Sequence, residues 1–280
     1  MPKLATMRYL GGKNAAGPKQ MAQWITSIIG AGPDRLYCEP FAGMLGVLLY
    51  RSRSEAEVVN DLNRDVFRWW TVVRDRTEEL AAKLAWTPAV SVQHVWSVNG
   101  DRPDGFDEEL WGAYRLSVRA LMTMGAKVDG GDQTAPLSLA HRPSSVPPAP
   151  GELLLLRDRM REVQIECRDA CEVIERIGRY SDALIYCDPP YPSALSRTNA
   201  GYGAEMDEGD FVDAVLGVRS GVRVAVSGYP GSYPALDAAG WVCHERESRS
   251  YLGDVRARTG PRTEVLWCNF EGGSQMRMDL

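Results

Sequence analysis

The chain has 280 residues, of which 44% are hydrophobic, enough to bury a full core, and no uninterrupted apolar run reaches bilayer length. No signal-peptide pattern is visible, so an intracellular location without a membrane partner is expected, and the formal net charge of −5 excludes a uniformly basic surface. Cys38, Cys167, Cys171, Cys187, Cys243 and Cys268 form no zinc-type pairing of Cys-x-x-Cys units and only three histidines accompany them; they read as reduced core residues, and no metal is expected.

In chain order, Arg8-Tyr9-Leu10-Gly11-Gly12-Lys13 is a Gly-Gly turn flanked by an aromatic ring and a lysine. It is either a loop that closes over an anionic or carboxylate-bearing ligand or a solvated arm. Met21, Trp24, Ile25, Ile28 and Ile29 follow helical spacing. Leu36-Tyr37-Cys38-Glu39-Pro40-Phe41-Ala42-Gly43-Met44-Leu45-Gly46 then reads as a short apolar strand entering a glycine-containing turn, the shape of a nucleotide-cradling βα unit. Glu57 to Asn63 reads as a second strand ending in Asp61, about twenty residues beyond the glycine turn, where an acidic residue grips ribose hydroxyls. Asp61 is equally placed to cap the helix that begins near Asn63 and continues through Val66, Phe67, Trp70 and Val73.

From about Thr87 to Pro150 the chain changes character. Asp107 to Met124 reads as an amphipathic helix, and a loop of Gly, Asp, Ser and Pro residues follows, ending at Pro147-Pro148-Ala149-Pro150. A helix through Leu153, Leu156 and Met160 leads to the strand Val163 to Glu166, and Val173, Ile174 and Ile177 mark the helix that returns the chain to the strand Ala183 to Cys187. A helix around Phe211, Val212 and Val215 precedes the strand Val222 to Ser227, and Trp241 to His244 with Thr263 to Phe270 complete the sheet. Parallel strands joined by such helices define an α/β fold.

The chemistry concentrates at Asp188-Pro189-Pro190-Tyr191, reached through the apolar strand Ala183 to Cys187. An amine delocalised into an aromatic ring is a poor nucleophile until hydrogen-bond acceptors restore its lone pair. Asp188 supplies a carboxylate, and the Pro189 carbonyl accepts a second hydrogen while proline offers no competing N–H. Tyr191 stacks on the ring, worth roughly 1–3 kcal/mol for a nucleotide swung out of its duplex. The Ser-, Gly-, Asn- and Tyr-rich stretch from Pro192 to Met206 is either a loop closing over that base or plain surface.

Charge is unevenly placed. Lys3, Arg8, Lys13 and Lys19 occur without an acidic residue in the first 33 positions, and Arg246, Arg249, Arg256, Arg258 and Arg262 face only Glu247 and Asp254 later on. These two regions are the expected phosphate-facing surfaces. In the 87–150 segment Arg115, Arg119, Lys127, Gln133 and Arg142 are candidate base readers.

Taken in order, Tyr9 to Lys13, Glu39-Pro40-Phe41-Ala42-Gly43, Asn60-Asp61-Leu62-Asn63, Asp188-Pro189-Pro190-Tyr191 and the closing strand Glu264 to Phe270 resemble the D12 class (Dam-like) of DNA N6-adenine methyltransferases of phage or prophage type. The resemblance spans nearly the whole chain. It implies a Rossmann-like class I methyltransferase sheet with an inserted, mainly helical target-recognition domain, divided as 1–86 (cofactor-binding), 87–150 (target recognition) and 151–280 (catalytic, carrying Asp188 to Tyr191). It implies S-adenosylmethionine as cofactor, with Tyr9 and Lys13 at its amino-acid end, Glu39, Phe41 and Gly43 beneath it, Asp61 on its ribose, Asp169 on its adenine and Asp188 at the methyl-transfer end. Catalysis is assigned to Asp188, Pro189 and Tyr191, and DNA contact to Arg249, Arg256, Arg258, Arg115, Arg119 and Lys127. The implied partner is double-stranded DNA, met by a monomer or weak dimer in the cytoplasm of a bacterial or phage-infected cell. Met44 and Leu45 stand where the family often has a further small residue, and Gly46 is expected to take over the close approach to the cofactor.

Other acceptors use related Pro-Pro-aromatic turns, namely cytosine N4, an RNA adenine or a protein amide. The leading Asp188 favours adenine N6. A nicotinamide dehydrogenase would explain the glycine turn and Asp61 but leave Asp188 to Tyr191 unused, and an intact Asp188 to Tyr191 argues against a silent DNA-binding protein.

Overall fold

A computed structural model of the chain describes residues 21–87, 100–122, 150–190, 206–248 and 262–272. Within them α1 spans Met21–Ile29, β1 Leu36–Glu39, β2 Ala56–Asn60, α2 Arg64–Asp75, α3 Thr77–Ala85, α4 Glu108–Met122, α5 Pro150–Met160, β3 Val163–Glu166, α6 Ala170–Ile177, β4 Ala183–Cys187, α7 Glu208–Leu216, β5 Arg223–Gly228, α8 Pro234–Ala238, β6 Val242–Ser248 and β7 Arg262–Cys268. A single 3₁₀ turn, Leu48–Tyr50, follows the loop after β1. The helices expected around Met21, Val66, Leu110, Leu153, Val173 and Phe211 and all the expected strands are present. Periodicity does not mark helices α3 and α8, because each is short and buries only one or two apolar side chains, Leu80 and Leu84 in α3 and Leu236 in α8.

The seven strands lie in the order β3-β2-β1-β4-β5-β7-β6, all parallel except β7, which runs antiparallel to both β5 and β6. This is a doubly wound, Rossmann-like α/β sheet with one antiparallel strand. The chain winds outward from β1 to β3 and then returns to lay β4 against the other side of β1. That reversal opens a crevice outside the carboxyl ends of β1 and β4, where ligands of such sheets bind.

Side chains of successive strand residues point to opposite faces. Tyr37, Val59, Leu184, Tyr186 and Ala225 join the core formed with α1 to α5, whereas Cys38, Val58, Ile185, Cys187, Val224 and Val226 join the core formed with α6 to α8. Both faces of the central strands are covered, which is why β4 is buried at all five positions. Helix starts are capped by side chains that the backbone needs there: Asn63 accepts from the Asp65 N–H, Asp107 from the Leu110 N–H, Asp169 from the Cys171 and Glu172 N–H groups, and Asp207 from the Asp210 N–H.

Helix α4, which belongs to the segment expected to recognise DNA, packs against α2 and is part of the same core through Leu110, Ala113, Leu116 and Val118. Gly112 permits the approach: a β-carbon there would sit 2.5 Å from Arg68 Cδ. Residues 88–99 and 123–149 of that segment lie outside the described residues. All six cysteines are free; Cys38, Cys187 and Cys268 are buried as expected, but Cys167 and Cys171 are only half-buried and Cys243 is exposed, contrary to their expected place in the core. Cys243 lies on β6, the edge strand, where one face meets solvent. Among the described residues no helix is long and apolar enough to cross a membrane.

Candidate active site

The carboxyl ends of β1, β2 and β4 are brought level by register: Glu39 pairs with Val59, and Cys38 with Val58 and Ile185. Glu39, Asp61 and Asp188 therefore emerge along one edge, each immediately at or past the end of its strand.

The loop after β1 is held from two sides. The Asn60 side chain, fully buried, donates to the Pro40 and Arg168 carbonyls at 2.9 and 3.1 Å and accepts from the Arg168 N–H at 2.8 Å. It ties together the ends of β1, β2 and β3. Asp61 accepts the Gly43 N–H on Oδ2 at 2.8 Å and the Asn63 N–H on Oδ1 at 2.9 Å. Asp61 thus fixes the turn and the start of α2 together, while Asn63 is the residue that caps the helix. Trp70 of α2 donates its indole N–H to the Gly43 carbonyl at 2.8 Å.

Gly43 has φ 44°, and the second left-handed residue of the turn is Leu45, with φ 52°, not Gly46. Such a backbone costs a side-chain-bearing residue about 1–2 kcal/mol. Met44 and Leu45 offset it by burying both side chains in the core beneath the loop. The turn is therefore held by packing where a small residue was expected to relax it.

Glu39 is 2% exposed and accepts the Tyr37 hydroxyl at 2.7 Å. Burial, with a smaller push from the charge of Asp188, outweighs the hydrogen bonds from Tyr37 and the Leu48 N–H and the attraction of Arg51, so its carboxyl is pushed up to about 8. The Arg51 guanidinium lies 4.3 Å from the centre of the Tyr37 ring and pairs with Asp34. A cation brought into the crevice favours the ionised form of this carboxyl.

Phe41 is half-buried and meets Phe211 of α7 edge-on, with ring centres 5.7 Å apart. Phe211 in turn packs on Tyr233, and Tyr233 on Trp267, forming a row of rings behind the carboxyl ends of β4 and β5. Asp188 is half-buried and Pro189 buried, at the end of the central strand and beside this row. Asp169 is exposed, and both of its hydrogen bonds to the start of α6 fall on Oδ1. Leu62, next to Asp61, is 50% exposed and presents an apolar surface. Asn60, Leu62 and Tyr233 were not singled out from the sequence as functional, since their importance depends on what lies across the sheet edge.

Glu39, Phe41, Gly43, Asp61, Asp169, Asp188 and Pro189 thus share one edge of the sheet. Arg115 and Arg119 do not. Both sit on α4 and turn to the buried carboxylate of Asp65, Arg115 at 2.6 Å and Arg119 at 3.8 Å, with Arg68 at 3.7 Å. The charge of Asp65 draws these arginines onto α2. Tyr9, Lys13, Lys127, Gln133, Arg142, Tyr191, Arg249, Arg256 and Arg258 lie outside the described residues, as does nearly all of the stretch 192–206.

No protein-family profile and no curated protein matches the chain. Some solved structures align along most of its length. One is a precorrin-8w decarboxylase from Methanobacterium thermoautotrophicum, 11% identical with a TM-score of 0.38, covering 93% of this chain and 95% of that one. Another is the C-terminal domain of the precorrin-6Y C5,15-methyltransferase from Rhodobacter capsulatus, 6% identical with a TM-score of 0.38, covering 95% and 100%. Likeness at this level carries nothing about substrate.

Proposed function

We propose that the chain is an S-adenosylmethionine-dependent methyltransferase that methylates N6 of an adenine swung out of duplex DNA. The observation that carries this reading is the placement of Asp188-Pro189 at the end of β4, directly across the switch-point crevice from the glycine turn of β1. The residues of the crevice fit the cofactor: Glu39 is a buried acid whose ionisation a cation favours, Asp61 brings a carboxylate to the end of β2, and Leu62 offers exposed apolar surface beside it. S-adenosylmethionine, when bound, supplies a sulfonium methyl group as electrophile.

The chain's own residues do the rest. Asp188 accepts one hydrogen of the target amine and the Pro189 carbonyl the other, which returns the nitrogen's lone pair from the ring. With the cofactor bound, that pair would form the new N–C bond as the S–C pair left with sulfur, and the surplus proton would pass from N6 to solvent. No strong base is required, because N6 becomes acidic only once methylated. Most of the acceleration comes from holding the two reactants in line in a crevice whose charges are fixed in advance. Tyr191 is the proposed stacking partner, and Arg249, Arg256 and Arg258 the proposed phosphate contacts.

The test is to incubate the purified protein with genomic DNA and S-adenosylmethionine and to map modified bases by sequencing. N6-methyladenine within one short motif supports the reading. Unmodified DNA, or methyl groups on cytosine N4, RNA or protein, overturns the choice of acceptor.

A further inference from the structure

Three tyrosine hydroxyls are buried along the central strands and their carboxyl edge. The Tyr37 hydroxyl donates a hydrogen bond to Glu39, and the Tyr186 hydroxyl is hydrogen-bonded to that of Ser227 at 2.9 Å. The third, Tyr233, is 1% exposed, and its hydroxyl oxygen is buried without any hydrogen-bond partner. Buried hydroxyls are almost always paired, and one that is not lowers the stability of the free protein. Removing it would stabilise the fold at no cost to packing, since a phenylalanine ring fills the same space.

Its position is closely set. The Ser232 side chain accepts the Tyr229 N–H at 3.1 Å, the Ser232 N–H donates to the Tyr229 carbonyl, and Tyr233 follows as the residue before α8. Gly228, at the end of β5, leaves the room: a β-carbon there would lie 3.0 Å from the Trp267 ring and 3.1 Å from the Tyr233 ring. The ring is clamped between Phe211 and Trp267, and Trp267 is itself anchored through its indole N–H to Asp237 at 2.7 Å. Strand register brings Asp188 to the same end of the sheet, since Cys187 pairs with Val226, two residues before Gly228, and burial, with the nearby Cys187, Glu208 and Asp188, raises the ionisation of the Tyr233 hydroxyl far above the ordinary range. The group is a neutral donor with acidic neighbours and no acceptor of its own.

We propose that Tyr233 is a positioning residue, which donates its hydroxyl hydrogen to the Asp188 carboxylate when the acceptor amine is in place; this rests on the methyl-transfer reading given above. A carboxylate has about four lone-pair sites and the amine occupies no more than two of them. Asp188 lies near the buried acid Glu39, whose negative form would repel it. A fixed neutral donor from the β5 side holds Asp188 ionised and turned toward the amine without cancelling its charge. The hydroxyl that is unpaired in the free enzyme thereby acquires its acceptor only in the reacting complex, so the interaction favours that complex over the resting state.

The variant Tyr233→Phe tests this, with the wild-type enzyme, genomic DNA and labelled S-adenosylmethionine. The expected result is a kcat lower by roughly ten-fold or more, an unchanged affinity for S-adenosylmethionine, and a melting temperature equal to or above that of the wild type. The acid limb of the kcat profile moves to higher pH, because a donor to the charged form of Asp188 has been lost. A variant with wild-type kcat and an unmoved acid limb overturns the role, as does a loss of rate that only follows a fall in melting temperature. If the wild type itself transfers no methyl group, the methyl-transfer reading fails and the role falls with it, an outcome distinct from an active wild type with an equally active variant.

Discussion

The Gly43 N–H and the Asp61 carboxylate, 2.8 Å apart, join the turn after β1 to the end of β2 across 18 positions of sequence. One side chain thereby sets the shape of the floor of the crevice and stands at its rim.

Replacing Asp61 with alanine leaves the Gly43 and Asn63 N–H groups without their acceptor. The expected cost is about 1–3 kcal/mol of stability, accompanied by a loss of cofactor affinity, measured by thermal melts and by calorimetric titration with S-adenosylmethionine. Unchanged affinity in a destabilised variant would reduce Asp61 to a staple of the turn.

Asp188→Ala is expected to abolish methyl transfer and leave S-adenosylmethionine binding close to that of the wild type, because the acceptor amine and not the cofactor depends on this carboxylate. Parallel transfer and binding assays decide it, and robust methylation by the variant refutes the role.

Glu39 gives stability a pH dependence of definite sign. Its carboxyl titrates near 8 in the folded chain against about 4.5 in the unfolded one. Between those values the folded state keeps a proton that the unfolded state has released, so stability falls as pH rises through the window, by up to about 1.4 kcal/mol per unit. Below it the group contributes nothing to the slope, and above it the penalty is complete. Glu39→Gln should flatten the profile of unfolding free energy between pH 5 and 8 in denaturant titrations; an equally steep profile in the variant places the proton elsewhere.

Arg115→Ala is expected to cost roughly 1–3 kcal/mol, less than the orphaning of a fully buried charge because Arg115 is partly exposed and Arg68 and Arg119 still face Asp65. DNA affinity, followed by fluorescence anisotropy across a salt series, should not change. A weaker complex with an unaltered melting temperature would return Arg115 to the nucleic-acid surface.

Much of this site was legible in the sequence because its parts are local. Asp188-Pro189 follows a five-residue apolar run, and a run so short, closed by turn residues, fits a strand buried on both faces. Glu39 to Gly43 and Asn60 to Asn63 are likewise strand ends with turn residues attached, and strand ends on one side of a parallel sheet converge. The pairing of Arg115 and Arg119 with Asp65 was not legible for a matching reason: a helix exposes one stripe and buries another, and periodicity does not say which neighbour carries the carboxylate that captures an arginine. Leu45 shows the same limit in the backbone, since a leucine in the left-handed region is tolerated only where the core holds its side chain.

The alternation of apolar strands and amphipathic helices sufficed to define an α/β sheet, and the composition of the strand ends sufficed to mark the reactive edge, because both depend on periods of two and 3.6 residues within short segments. The strand order, the antiparallel insertion of β7 between β5 and β6, the row from Phe41 through Phe211 and Tyr233 to Trp267, and the unpaired hydroxyl of Tyr233 came only with the tertiary structure. Each of these joins residues far apart in the chain, and which of them meet is settled by packing around two shared cores.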